Sequence, residues 1–308
     1  MKQTVLKRIA VAAMSLVVGV VAVEAQNDII VSQYIHNRFA VNPGFAGCRD
    51  GMSFYGGFRK QWTGIESTPG SLLLTAHTPM RSEKITGGLS VFGQHIHEST
   101  NAGLMMTVGY RTQLKKDTWL GLALQPGLSF RSTDWAKVRT MDEQDPVFVE
   151  KQTGVSPLLG FGAAIYTSKY FAGVSIQSLF VSDDFERRKA EFAPGDATYL
   201  LTGGYWFELS DKFALEPSVL VDYSKSRDVA ADVTVSGIYD SRIWANLAYR
   251  TTKEMTIGVA YMPKVQMRIA YSYTISTGDL KSYDAGSHEL SIQYDFVYHV
   301  KTVGHRFY

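Results

Sequence analysis

A chain of 308 residues with 31 Lys and Arg against 29 Asp and Glu has no electrostatic footprint for nucleic acid. Its mean hydropathy of -0.07 does not flag a bundle of membrane helices, yet it suits a transmembrane barrel, whose lipid-facing and lumen-facing residues alternate and average out. Cys48 is the only cysteine, so no intramolecular disulfide is possible.

The N-terminus reads as a secretory signal peptide over residues 1–25. Lys2, Lys7 and Arg8 precede an uncharged stretch from Ile9 to Val23, and Val23, Glu24 and Ala25 make a small-residue cleavage site. A helical anchor needs about 20 apolar residues, and this run is shorter. Removal takes away three basic groups and one acidic one, so the formal charge falls from +2 to zero.

Residues 26–50 form a separate N-terminal segment, expected on the periplasmic side or tucked into a barrel mouth. Turn formers (Asn42, Pro43, Gly44, Gly47) run straight into the first amphipathic strand. Phe45 to Cys48 looks like the end of a lipoprotein cleavage box, but His36, Asn37, Arg38, Asn42 and Pro43 stand where an apolar stretch should precede it. Cys48 therefore reads as a small packed thiol.

From residue 51 the chain alternates apolar and polar residues in segments of about ten, the signature of a transmembrane barrel. Leu290, Ile292, Tyr294 and Phe296 share one face, and Glu289, Ser291, Gln293 and Asp295 the other. Fourteen strands are predicted, at 51–62, 70–78, 85–95, 102–114, 118–131, 156–166, 170–181, 197–208, 213–224, 229–238, 242–250, 255–262, 265–276 and 286–297. The expected architecture is an all-β antiparallel transmembrane β-barrel over 51–297 with a tail at 298–308. Every link longer than six residues falls in one alternate set, as expected for short periplasmic turns and longer extracellular loops. A soluble sandwich has no reason to sort its loops so.

Aromatics near strand ends (Tyr110, Trp119, Phe130, Tyr166, Tyr170, Tyr223, Tyr249, Tyr261) suit interfacial girdles. Charges within strands, Arg59, Arg111, Glu216, Asp222, Arg242, Arg250, Arg268, Glu289 and Asp295, fall on the polar face. A charge on the lipid face near mid-bilayer costs about 2–4 kcal/mol, so these should point inward and pair as a lumen network.

No constellation supports catalysis, a metal or a cofactor. His95 and His97 share a face beside Glu98, without further ligands in reach. His288 and Glu289 point to opposite faces of a strand and have no nucleophile to serve. Gly56 and Gly57, Gly87 and Gly88, and Gly203 and Gly204 lie inside strands, where they allow close packing rather than phosphate binding. The acidic run Met141 to Asp145 and the mixed-charge run Ser182 to Lys189 read as solvated loops.

Gln33 and Tyr34, Asn42-Pro43-Gly44-Phe45-Ala46-Gly47, Arg59-Lys60-Gln61-Trp62 and Pro69 together resemble the opening of the PorP/SprF family of type IX secretion outer-membrane proteins. Asp145 to Phe148, Tyr249-Arg250, Tyr271-Ser272-Tyr273 and Gly286-Ser287-His288-Glu289-Leu290 extend the resemblance. Gly44 and Phe45 replace the usual Ala and Tyr, and Thr274 stands where an Asp is common. The resemblance implies a non-enzymatic barrel of the secretion, and in some members gliding, machinery. It would anchor periplasmic ring lipoproteins or tether secreted substrates with C-terminal signals. On that reading Gln33, Tyr34, Arg38, Asn42, Pro43, Gly44, Arg59 and Trp62 are candidates for a lumen plug or a partner-binding strip. A passive channel for small solutes is the alternative, because fourteen strands enclose a wide lumen.

Overall fold

The computed structural model describes residues 32–49, 51–64, 68–134, 151–177, 180–181, 191–192, 194, 197–225, 227–278 and 285–296. The expected signal peptide, Asp145 to Phe148 with the acidic run before it, the run Ser182 to Lys189 and the expected C-terminal tail lie outside them.

A short helix α1 (Arg38–Val41) and a 3-10 turn (Pro43–Phe45) precede the strands. These are β1 (Met52–Lys60), β2 (Gly70–Pro79), β3 (Ile85–Ile96), β4 (Ser99–Lys115), β5 (Thr118–Asp134), β6 (Lys151–Tyr166), β7 (Tyr170–Gln177), β8 (Phe180–Val181), β9 (Glu191–Phe192), β10 (Thr198–Tyr205), β11 (Phe207–Glu208), β12 (Phe213–Ser224), β13 (Arg227–Tyr239), β14 (Ile243–Arg250), β15 (Glu254–Lys264), β16 (Met267–Ser276) and β17 (Ser287–Phe296). Each long strand pairs antiparallel with its sequence neighbours; β1 pairs with β17, and β10 pairs with β12. The wall therefore closes as a fourteen-stranded barrel, with β11 a two-residue continuation of β10 and β8–β9 a separate small hairpin. Closure satisfies the backbone of every wall strand, as a hydrocarbon surround demands.

The side chains are inverted relative to a soluble protein. Exposed hydrophobics run around the outside, for example Leu104, Met106 and Val108 on β4, Ile257 and Val259 on β15, and Leu290 and Ile292 on β17. The buried positions between them are largely Ser, Thr and charged residues facing the lumen. One barrel end carries the links 80–84, 116–117, 167–169, 209–212, 240–242 and 265–266; the other carries the turns 97–98 and 251–253 and the ends of β1, β5, β7 and β16, after which the sequence runs longer before the next wall strand.

Three expectations need correction. Arg242 lies exposed in the β13–β14 turn and does not join the lumen, because β14 begins one residue after it. Tyr166 is buried and faces inward, and Trp119 stands on the same inner side beneath Arg111. The other six girdle aromatics are exposed on the outer wall.

Ile292 sits mid-strand on the outer face, opposite Ile269 on β16 and Gly56 on β1. Arginine there costs about 2–4 kcal/mol at the bilayer midplane. Ile292→Arg is expected to reduce the heat-modifiable, folded barrel recovered in outer membranes, and Ile292→Val to leave it unchanged. Normal assembly of the arginine variant would reverse the inside–outside assignment of β17.

Candidate functional site

The site is the interior of the barrel, where the segment Ser32 to Arg49 lies against the inner wall. Its centre is Asn42, fully buried. The Asn42 Oδ1 accepts from the Gly44 N–H at 2.8 Å, capping the 3-10 turn that Pro43 starts. The Nδ2 donates to the carbonyls of Ala163 on β6 and Val174 on β7, each at 3.1 Å. Both ends of the amide thus have partners in a fully buried place.

That fit depends on absent side chains. A Cβ on Gly162 would stand 2.2 Å from Asn42 Oδ1, and one on Gly121 would stand 2.1 Å from the Gly44 carbonyl oxygen. Gly88 likewise makes way for the Phe39 ring. The wall glycines therefore form the floor on which the segment rests. Around them Phe45 packs with Ala164, Tyr166 and Phe171, and Tyr34 and Val41 pack with Leu220.

Polar contacts fix the rest of the segment around the circumference. Gln33 donates to Ser272 Oγ at 3.1 Å and the Glu289 carbonyl at 3.2 Å, and accepts from Ser291. The Ser32 hydroxyl donates to the Glu289 carboxylate. Tyr34 meets Ser218 at 3.0 Å, and Asn37 donates to Thr75 at 3.1 Å. Ser175 donates to the Val41 carbonyl at 2.7 Å. Gly47, at φ +65, donates to His77 Nδ1 at 3.1 Å.

Two segment arginines complete the charge pairing. Arg38 pairs with Glu216 and lies 3.8 Å above the Phe171 ring; Arg49 pairs with Asp295 at 2.8 Å. On the wall itself, Arg250 pairs with Asp222 at 2.5 Å and approaches Asp232 at 4.0 Å. Arg268 stacks 4.6 Å from the Trp244 ring, and Arg111 donates to the Gly47 carbonyl. Arg59 stands opposite Glu289 in the β1–β17 register.

The predicted residues are therefore brought together with two exceptions. Arg242 is in its turn, and Trp62 lies in the long β1–β2 link, where its N–H donates to Ser287 Oγ. Sequence reasoning missed Arg49, Asp232, His36 and His77. Asp232 had a signal, since it shares the inward parity of Thr234 and Ser236 on β13. His36 and Arg49 lie in irregular chain, where no periodicity marks a face.

Between segment and wall, at the short-turn end, a small recess is lined by His36, Arg38, Arg49, His77, Trp206 and Trp244, among others. Burial, and then Arg268, Arg38 and Arg49, hold the His36 imidazole well below its ordinary value. Burial pushes the Cys48 thiol up. Among the described residues no group of three His, Cys, Asp or Glu could hold a metal. His95 meets Thr100 at 3.0 Å, and His288 meets the Tyr271 hydroxyl at 2.7 Å on the outer surface.

Two tests follow from this geometry. Asn42→Asp removes both donors and sets a carboxylate against two carbonyls, a loss of about 1–3 kcal/mol per broken contact; Gly162→Val drives a branched side chain into the same space. Both variants are expected to expose the N-terminal segment to protease and to raise current steps in planar bilayers over a nearly silent parent. Unchanged cleavage and current would remove the seating argument. The second test is pH. His36 binds its proton less readily seated than released, so seating is fully favoured above about pH 6.5 and weakens as pH falls below it. Protease protection should decline from pH 7.5 towards about 5, with His36→Gln flattening that share of the decline. An identical profile in His36→Gln would exclude His36 as a contributor.

Among solved structures, the Pseudomonas putida toluene transporter TodX is similar at 10% identity and a TM-score of 0.49, over 85% of this chain and 94% of that one. The Ralstonia pickettii toluene transporter TbuX is similar at 10% identity and a TM-score of 0.46, over 84% and 93%. The CymD monoaromatic hydrocarbon channel is similar at 11% identity and a TM-score of 0.45, over 89% and 95%. No curated protein sequence matches. The family described as type IX secretion system membrane protein PorP/SprF matches residues 23–294. With this match over most of its length, and with an outward apolar wall closed around a polar lumen, the chain belongs to the PorP/SprF family of outer-membrane β-barrels.

Proposed function

We propose that this protein is a non-enzymatic component of the type IX secretion machinery that anchors its periplasmic parts, or tethers secreted substrates, in the outer membrane. The observation that carries this reading, beyond family membership, is the seated segment Ser32 to Arg49. It is bonded to strands on every side of the lumen, from Thr75 on β2 through Val174 on β7 and Ser218 on β12 to Ser272 on β16. A barrel built for passive flow keeps an open water path. In support of a filled lumen, Tyr34, Phe39 and Phe45 of the segment are buried, and Arg38 and Arg49 pair with Glu216 and Asp295 of the wall.

The segment is also placed for contact with the machinery. Barrels of this class keep short turns on the periplasmic side. On that rule Gly47, Arg49 and the recess open to the periplasm, where ring lipoproteins stand. Gln33, Tyr34, Arg38, Asn42, Pro43 and Gly44 then act as the plug, with Arg59 among the wall groups that hold it.

A deletion strain tests the reading. Loss of many secreted proteins from the medium, with small-solute uptake intact, is expected. Normal secretion with altered permeability would replace this function with that of a passive channel.

A further inference from the structure

The short-turn end is electrically lopsided. Three successive turns, between β2 and β3, β4 and β5, and β6 and β7, expose Arg81, Lys84, Lys115, Lys116 and Lys169 against Glu83 and Asp117. The remaining half of the rim is balanced: Lys212, Arg242 and Lys264 against Glu208, Asp211 and Asp240. Among the described residues, an excess of basic groups is thus found on one contiguous arc.

The arc is held in place rather than waving in solvent. The Ser168 N–H donates to the Asp117 carboxylate at 3.2 Å, and its hydroxyl donates to the same oxygen, clamping the second turn to the third. Arg111 clamps the first turn. Its Nε donates to the Glu83 carbonyl at 2.6 Å, its backbone N–H donates to the Lys84 carbonyl at 2.6 Å, and its plane lies over Trp119 on β5. A fixed charge pattern loses little entropy on binding, so it favours a docked partner. The same Arg111 donates to the Gly47 carbonyl of the lumen segment. One guanidinium therefore joins the rim to the plug.

We propose that this arc is the docking face for the acidic surface of a periplasmic protein. Charge complementarity names the partner's chemistry. The one-sidedness argues against lipid, because a lipid annulus surrounds the barrel evenly and would be matched by basic groups all round the rim. The proposal rests on the anchoring reading for which partner is present, not for where it binds.

The test is photo-crosslinking in living cells with the full chain, carrying p-benzoylphenylalanine in place of Lys116, Lys169 or, as the control, Asp240. Protein adducts are expected at 116 and 169 and not at 240. With Arg81→Glu and Lys84→Glu added, the yield at 116 should fall about tenfold or more, as it should in about 1 M NaCl, where the Debye length shrinks to about 3 Å. Adducts with lipid alone, equal protein adducts at 116 and 240, or a yield indifferent to both charge reversal and salt would each overturn the arc. If the reversed variant assembles poorly, the salt series on the unreversed chain decides. Co-purification of the ring lipoproteins with the solubilised barrel is scored separately. Ring lipoproteins recovered without an adduct at 116 or 169 sink the arc and leave anchoring standing. A salt-sensitive adduct with a different acidic protein, with no ring lipoprotein co-purifying, upholds the arc and sinks anchoring.

Discussion

The constraint on which the rest of this molecule depends is the need to fill a lumen whose wall is too sparse to fill itself. Eight strands enclose an interior that side chains alone can pack, and fourteen enclose far more. The inner face here carries many Ser, Thr and Gly between its charged residues, and those small groups leave room beside the wall. The space is taken by Ser32 to Arg49, and the wall is shaped for that occupant: Gly121 and Gly162 lack a side chain where Gly44 and Asn42 make contact. Polar small residues and glycine serve one end, since the former keep backbone-like hydrogen-bonding partners at the surface and the latter admits a second backbone.

Which forces hold the segment can be separated by magnitude. Tyr34, Phe39 and Phe45 are almost wholly buried, and burying a large apolar side chain stabilises by about 1.5–3 kcal/mol each. The pairs Arg38–Glu216 and Arg49–Asp295 return little net free energy once desolvation is counted, although breaking one by removing a single partner costs about 3–5 kcal/mol. The aromatic rings and the glycine floor therefore supply adhesion. The ion pairs and the Asn42 amide supply register, because any axial slip would leave carboxylates and carbonyls facing the wrong groups.

Much of the wall was legible from alternation alone. Strand β12 runs over the predicted 213–224 without change, and Glu216 and Asp222 face inward as their parity requires. Alternation weakened where strands leave the hydrocarbon. The link expected at 96–101 is a two-residue turn, His97 and Glu98, because the polar Ser99 to Asn101 carry no apolar face yet still pair with β3. Tyr166 and Trp119 were misassigned for a related reason. At strand ends an aromatic suits the girdle and the lumen equally; Phe45, remote in sequence, decides for Tyr166, and Arg111, across the β4–β5 hairpin, for Trp119. The segment's contacts were out of reach of any local signal: Asn42 meets Ala163 across 121 residues and Val174 across 132. What the sequence did carry was the turn chemistry of Asn42, Pro43 and Gly44, which sets the shape of the segment but not its seat.

Arg111 shows how wall, rim and segment become one unit. Its sequence reading is as one member of a lumen charge network, yet its guanidinium meets the carbonyls of Glu83 in a turn and Gly47 in the segment and the face of Trp119 on the wall, while its backbone N–H donates to the Lys84 carbonyl. A guanidinium offers five donors in a rigid plane and stays charged, so it can satisfy several carbonyls where a lysine could reach one. The Gly47 backbone at φ +65, close against Thr86 and Pro79, turns its carbonyl to meet that plane. A change in the position of the turn must therefore be absorbed either by the Arg111 side chain, which stacking on Trp119 restrains, or by the segment at Gly47. The segment is the softer of the two, since it is held by side chains whereas Arg111 sits on a strand paired on both sides.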